Sequence, residues 1–251
     1  MSKQTGFVFY RGPSMLDGKP IVAILTGLGK ASRNSKTGGG LLQTWILRDD
    51  VSPTDAIHSG ADASICGACP HRGSIVDGRN VGRSCYVTVF QAPLVVWKSE
   101  KRSIYPTVSP EEARDIVADR MVRLGSYGDP AAVPFHVWQT MLARVSAKAG
   151  YTHQWRDFPE MAEFTMASCD TATEQVQAAM LGFRTFRVRG PNEPLVTREI
   201  VCPASKEAGF KTTCDTCKAC GGNSAKARVN IAIMAHGAAG KVNAFNNRIT
   251  V

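Results

Sequence analysis

Seven of the eight cysteines fall into two tight groups. Cys66, Cys69 and Cys85 make a C-x2-C-x15-C set, and Cys202, Cys214, Cys217 and Cys220 make a C-x11-C-x2-C-x2-C set. Thiols clustered in this way bind metal, and disulfides are rare in the reducing cytosol to which this chain reads as belonging. The later group has enough thiolates to close a four-coordinate site. The earlier group is one ligand short, so it either recruits His71, His58, Asp77 or Cys169 or leaves a metal position open to a small molecule.

Zinc and iron–sulfur clusters are both thiolate sites. Zinc usually takes two separated C-x2-4-C pairs, and neither group has that form. The run at 214–220 matches the C-x2-C-x2-C loop of bacterial-type four-iron ferredoxins. Cys69 and Cys202 are each followed by proline, as is a ferredoxin ligand, and Gly221-Gly222 lets backbone amides approach sulfur. The expectation is therefore two [4Fe-4S] clusters, with zinc as the alternative metal. An open iron in the first would suit a ligand such as S-adenosylmethionine, although the usual C-x3-C-x2-C motif for it is absent.

These groups need elements to hold them. Apolar runs bounded by turn residues predict strands at 20–27, 41–49, 122–129, 151–155, 164–171, 183–190, 197–205 and 228–237. Helices are expected after Ser109-Pro110-Glu111-Glu112, over 134–150 ended by Gly150, and over 172–182 capped by Asp170 or Thr171. Strand–helix alternation means an α/β fold with mainly parallel strands, and the short links argue for a partial, open β/α barrel with cysteine-rich metal-binding loops. The chain reads as a single domain: an N-terminal region at 1–105, β/α repeats at 106–237 and a tail at 238–251. The stretch 52–84 reads as polar and irregular, ordered by metal. Trp45, Trp97, Trp138 and Trp155 read as core.

Polar groups recur where the proposed strands stop: Asp129, His153, Gln154, Asp170, Arg189, Cys202 and His236. Ligands bind at the carboxyl ends of strands in parallel α/β proteins. Asp129, His153, Asp170 and His236 are thus candidate catalytic residues. Asn34 and Lys36, in the glycine-rich basic loop 27–40, are candidates for holding an anionic ligand, and Lys36 joins the catalytic set. That loop is not a P-loop.

The order of the short motifs resembles the phage "gene product 88" group of cysteine-rich proteins. The resemblance rests on Asn34-Ser-Lys-Thr-Gly38, Cys66-x2-Cys69, Cys85-Tyr86, Leu124-Gly-Ser-Tyr-Gly-Asp129, the Trp138-bearing helix, Tyr151-Thr-His-Gln-Trp155 and the terminal cysteine-rich segment. It covers most of 30–237. It implies a phage protein made in the bacterial host cytosol, cysteine-bound iron–sulfur and an architecture similar to the partial TIM barrel of radical-SAM proteins. Without C-x3-C-x2-C, that fold is implied more firmly than that chemistry.

With 30 Lys and Arg against 21 Asp and Glu, the formal charge is +9. Two anionic clusters lower it by about three or four units. The basic residues are dispersed, as in Lys30, Arg33 and Lys36, in Lys98, Lys101 and Arg102, and in Arg184, Arg187 and Arg189, so a solvated basic surface is expected before a nucleic-acid groove. No apolar run approaches membrane-spanning length. The leading reading is an iron–sulfur protein performing electron transfer or radical-SAM-like redox chemistry, with a redox partner or small-molecule substrate. The other is a zinc-stabilised module that binds nucleic acid or a host protein.

Overall fold

The computed structural model describes residues 4–29 and 37–249. Asn34 and Lys36 therefore lie outside the described residues. In chain order come β1 (Gly6–Pro13), β2 (Pro20–Thr26), β3 (Leu41–Arg48), α1 (Pro53–Ser59), α2 (Ala63–Cys66), β4 (Ser74–Val76), β5 (Arg79–Val81), α3 (Ala92–Lys101), α4 (Pro110–Ile116) and β6 (Met121–Tyr127). Then follow α5 (Phe135–Met141), β7 (Ala147–Ala149), β8 (Tyr151–Thr152), β9 (Met166–Cys169), α6 (Ala172–Met180), β10 (Thr185–Arg189), β11 (Glu199–Val201), α7 (Cys214–Cys217), β12 (Asn230–Met234) and α8 (Ala239–Ile249).

Two five-stranded sheets carry the fold. One runs β1-β2-β3-β6-β7, antiparallel across its first three strands and parallel from β3 onward. The other, β11-β12-β10-β9-β8, is parallel throughout. The chain steps from one to the other at Gly150, between β7 and β8. The N–H of Gly150 donates to Cys220 O at 3.0 Å and its carbonyl accepts from Met166 N at 3.0 Å. The molecule is thus a mixed α/β protein with parallel strands, and among the described residues its sheets form no closed barrel. One apolar cluster extends from Phe7 to Phe183, with Trp45, Trp138 and Trp155 buried in it and Trp97 packed against it.

Local signals explain much of this. Ser109 and Glu112 form a reciprocal capping box on α4, with Pro110 at the first position. Thr171, not Asp170, caps α6 by accepting from Glu174 N at 3.1 Å, which leaves the Asp170 carboxylate to other partners. Several expectations change. The helix predicted over 134–150 stops at Met141, and residues 147–149 form β7, paired in register with Met121–Arg123. Tertiary pairing outweighs the helical preference of that Ala-Lys-Ala run. Gly150 is accordingly a sheet junction rather than a helix cap. The stretch 52–84 is not irregular: it holds α1, α2 and the β4–β5 hairpin. The expected strand 151–155 keeps only Tyr151 and Thr152, and the terminal tail contains α8.

The basic trio Arg184, Arg187 and Arg189 is buried rather than solvated. Each guanidinium is consumed internally, by the carbonyls of Ala219, Gly222 and Val229, by Glu199, and by Glu207 respectively. Among the described residues, no helix is long and apolar enough to cross a membrane.

Candidate metal centres and the cavity between them

Alternate residues of the parallel strands face a cavity of about 410 Å3: Ala149, Tyr151 and His153; Phe186 and Val188; Ile233 and Ala235. This is the period-two display expected of a strand with one face inward. β6 breaks the pattern. Its pairing with β3 shifts register between Gln43/Arg123 and Trp45/Tyr127, and Gly125 takes φ +64°. The Thr44 hydroxyl stitches this bulge, donating to Arg123 O at 3.1 Å and accepting from Gly125 N at 2.9 Å. A bulge re-aims side chains, and here Ser126, Tyr127 and Asp129 all reach the cavity wall.

The first cysteine group lines this cavity through Cys66, Cys69 and Cys85. Its loop is docked on the carboxyl ends of β6 and β8. Asp129 N donates to Ile65 O at 2.6 Å. The Gln154 amide donates to Cys66 O at 2.9 Å and accepts from Ala68 N at 3.2 Å. Gly67 sits at φ +53°, and a Cβ there would run into the Gln154 side chain, which explains the glycine after Cys66. His71 O accepts from Ser84 N at 3.1 Å and Cys85 N at 2.9 Å, bringing Cys85 to the other two. Burial, then the neighbouring Cys69 and Asp62, push the Cys66 thiol well up. Burial and Cys85 do the same to Cys69. A metal must draw these protons off, so its binding couples to their release. Gln154→Ala removes two side-chain hydrogen bonds from this loop. The expected cost is about 1–3 kcal/mol of stability in thermal denaturation, with faster alkylation of Cys66 and Cys69 in metal-free protein.

The second group arrives from separate segments on one small cavity, lined by Cys202, Cys214, Cys217 and Cys220 with Met121, Phe186 and Ile231. Cys202 N donates to Ala232 O at 2.8 Å, tying the end of β11 to β12. Arg184 clasps the other arm, donating to Ala219 O at 2.9 Å and Gly222 O at 3.0 Å. Burial pushes the Cys220 thiol up to about 12, opposed by a hydrogen bond from Tyr151. Cys214, Ala149, Tyr151 and Phe186 line both cavities, so the two groups share a wall.

The other predicted residues divide. Asp129 lines the cavity, but its oxygens accept from Thr152 Oγ1 at 2.7 Å, His153 N at 2.8 Å and Ala131 N at 3.0 Å. Burial raises its pKa against those bonds. Those bonds make it a strut joining two strand ends. His236 lines the cavity, stacked on Tyr86 at 5.6 Å. Arg189 pairs with Glu207 away from it. Asp170 meets His71: His71 Nε2 lies 3.1 Å from Asp170 Oδ1, and Arg248 donates to Asp170 Oδ2 at 2.7 Å. Burial opposes ionisation of Asp170, but the hydrogen bond with His71 and the nearby Arg248 guanidinium prevail and hold it at about 2. Burial and His71 lower His153 to about 3.

Of the proposed fourth ligands, only His71 reaches the cavity. His58 is exposed on α1, Asp77 is exposed in the β4–β5 turn, and Cys169 is buried in the main core. Sequence reasoning missed Gln154 as a clamp, Arg184, and the cover that α8 lays over the cavity through Lys241, Val242 and Phe245. The buried Ser126 Oγ, Tyr127 OH and His153 Nε2 have no hydrogen-bond partner, and all three residues line the cavity. Buried polar atoms are almost always paired, so this wall is built for a polar occupant. No protein-family model matches the chain, and no curated protein or solved structure is significantly similar to it, so its chemistry has to be argued from this geometry.

Proposed function

We propose that this chain is an iron–sulfur redox protein in which Cys202, Cys214, Cys217 and Cys220 hold one four-iron cluster and Cys66, Cys69 and Cys85 hold a second. The observation that carries the reading is the convergence of all seven thiols on two adjoining cavities, the three-thiol group facing the larger one. The spread of the sulfurs supports iron over zinc. A tetrahedral zinc with Zn–S near 2.3 Å needs its thiolates about 3.8 Å apart. Among the described residues, the group with three ligand atoms within 4.8 Å of one another is His71, His153 and Asp170, and it contains no cysteine.

Bound clusters would supply one-electron chemistry. The closed group would be the relay, and Cys66, Cys69 and Cys85, which line the 410 Å3 cavity, would hold a cluster with a position left for a ligand. That volume suits a small-molecule substrate or a ligand of the S-adenosylmethionine class. Parallel strands presenting their carboxyl ends to such a cavity fit the partial-barrel, radical-SAM-like reading. Residues that carry the resemblance to the phage group, Cys85-Tyr86, Gly125–Asp129, Tyr151 and His153, line the same space, and that resemblance is what supports a role in an infected bacterial cytosol. The zinc-stabilised, nucleic-acid-binding alternative loses Arg184, Arg187 and Arg189 to internal bonds. The test is anaerobic purification with absorbance and iron, sulfide and zinc analysis. About eight irons with matching sulfide are expected, and a change in the reduced spectrum on adding S-adenosylmethionine. A colourless protein with about two zinc per chain would overturn the reading.

A further inference from the structure

The neighbourhood of Asp170 does something the cysteines do not explain. His71 follows the Cys66–Cys69 loop, His153 follows β8, and Asp170 follows β9. Their ligand atoms all lie within 4.8 Å of one another. The His71 ring is already oriented as a ligand ring would be. Its Nδ1 lies 2.9 Å from Ser84 Oγ, and its Nε2 points to Asp170 Oδ1 at 3.1 Å. A hydrogen bond on one ring nitrogen that fixes the other toward a metal is the usual arrangement around bound ions. The His153 ring meets that of His71 at 5.2 Å, and its Nε2 is buried with no hydrogen-bond partner. His71 and His153 both line the 410 Å3 cavity, so an ion held here would keep coordination positions facing that space.

We propose that His71, His153 and Asp170 form a mononuclear divalent-metal site, separate from the cysteine groups. Two imidazoles and one carboxylate with open positions suit a divalent ion such as Fe(II) or Mn(II), and the same donor set also takes zinc. Arg248 of α8 is the competitor. Its guanidinium donates to Asp170 Oδ2 at 2.7 Å, lies 3.3 Å from His71 Nδ1, and supplies the positive charge that the carboxylate otherwise takes from the ion. Phe245, stacked on His71 at 5.7 Å, holds that helix in place. Metal entry and the seating of α8 are therefore opposed, and an ion here releases the Arg248 contact.

Mn(II) is the probe, because thiolates bind it poorly and the electron paramagnetic resonance signal of the free aqueous ion reports its uptake. Titration of the protein as purified is expected to show one Mn(II) site per chain. His153→Ala and Asp170→Asn should each abolish it. The combined Cys66→Ser, Cys69→Ser, Cys85→Ser protein should retain it. Arg248→Gln keeps all three ligands and should bind Mn(II) about fivefold more tightly, by removing one competing ion pair. A poorly folded chain would not gain affinity, so this variant separates loss of the site from loss of the fold. The proposal is overturned if neither the unmodified protein nor Arg248→Gln takes up Mn(II), or if uptake survives His153→Ala and Asp170→Asn. Loss of uptake in a folded cysteine variant also overturns it, by assigning the ion to the thiols.

Discussion

If the cysteines hold the proposed clusters, replacing Cys66, Cys69 and Cys85 together by serine is expected to remove about half of the bound iron and leave the other four-iron cluster's absorbance intact. The two groups share a wall but not their supports. The first depends on Gln154, on Asp129 N and on the backbone of His71. The second depends on Arg184 and on the link from Cys202 to β12. Iron and sulfide analysis of the triple variant checks this. Loss of all iron would mean that the sites are not independent, and full retention would mean that the three thiols bind none. The complementary replacement at Cys202, Cys214, Cys217 and Cys220 should cost more stability, because those thiols pack into an apolar cluster with Met166, Phe186 and Ile231.

The largest stability effect expected outside the cysteines is at Arg187. Its side chain is 2% exposed and that of Glu199 0%. The pair is bidentate, with Nε to Oε1 and Nη2 to Oε2 both at 2.8 Å. Nη2 also donates to Pro194 O at 2.8 Å, and Glu199 Oε2 accepts from Val196 N at 3.0 Å. One guanidinium thus fixes the loop before β11, and β11 delivers Cys202. Arg187→Ala strands a buried carboxylate and should cost about 3–5 kcal/mol, read as a drop in the thermal midpoint. Replacing Arg187 and Glu199 together by Met and Leu should cost much less, since a buried pair contributes little over a packed apolar substitute. The second group should also load less iron in Arg187→Ala, through Cys202. Unchanged stability in the single variant would show that the network does not hold this sheet edge.

The sequence alone determined the thiol inventory, the strands that are apolar runs, and the helix starts that are capping chemistry. β2, β3, β9, β10, β11 and β12 lie within the predicted spans, and β6 starts one residue before its own, because their apolar runs, bounded by turn residues, are local facts. Local signals failed where pairing decides. β7 carries no strand pattern and exists because β6 is beside it. β1 is itself legible in the apolar run Phe7–Tyr10 between Gly6 and Gly12, whereas α8 is held by what it covers. Burial was misread at Arg184, Arg187 and Arg189, whose charges look like surface until Glu199, Glu207 and three carbonyls are brought to them.

The site divides the same way. Asp129, His153, Asp170 and His236 could be picked out because a polar residue after an apolar run marks a strand end. Their separate roles could not, since a role depends on the partner. Asp129 is tied to Thr152 and backbone amides, whereas Asp170 meets a histidine 99 positions earlier in the chain. Cysteine spacing fixes how many ligands each loop offers. Only the folded sheets bring Cys202 to the loop at 214–220 and set the three-thiol loop against a covered cavity, because the pairing of parallel strands aligns the ends of segments that are distant in sequence.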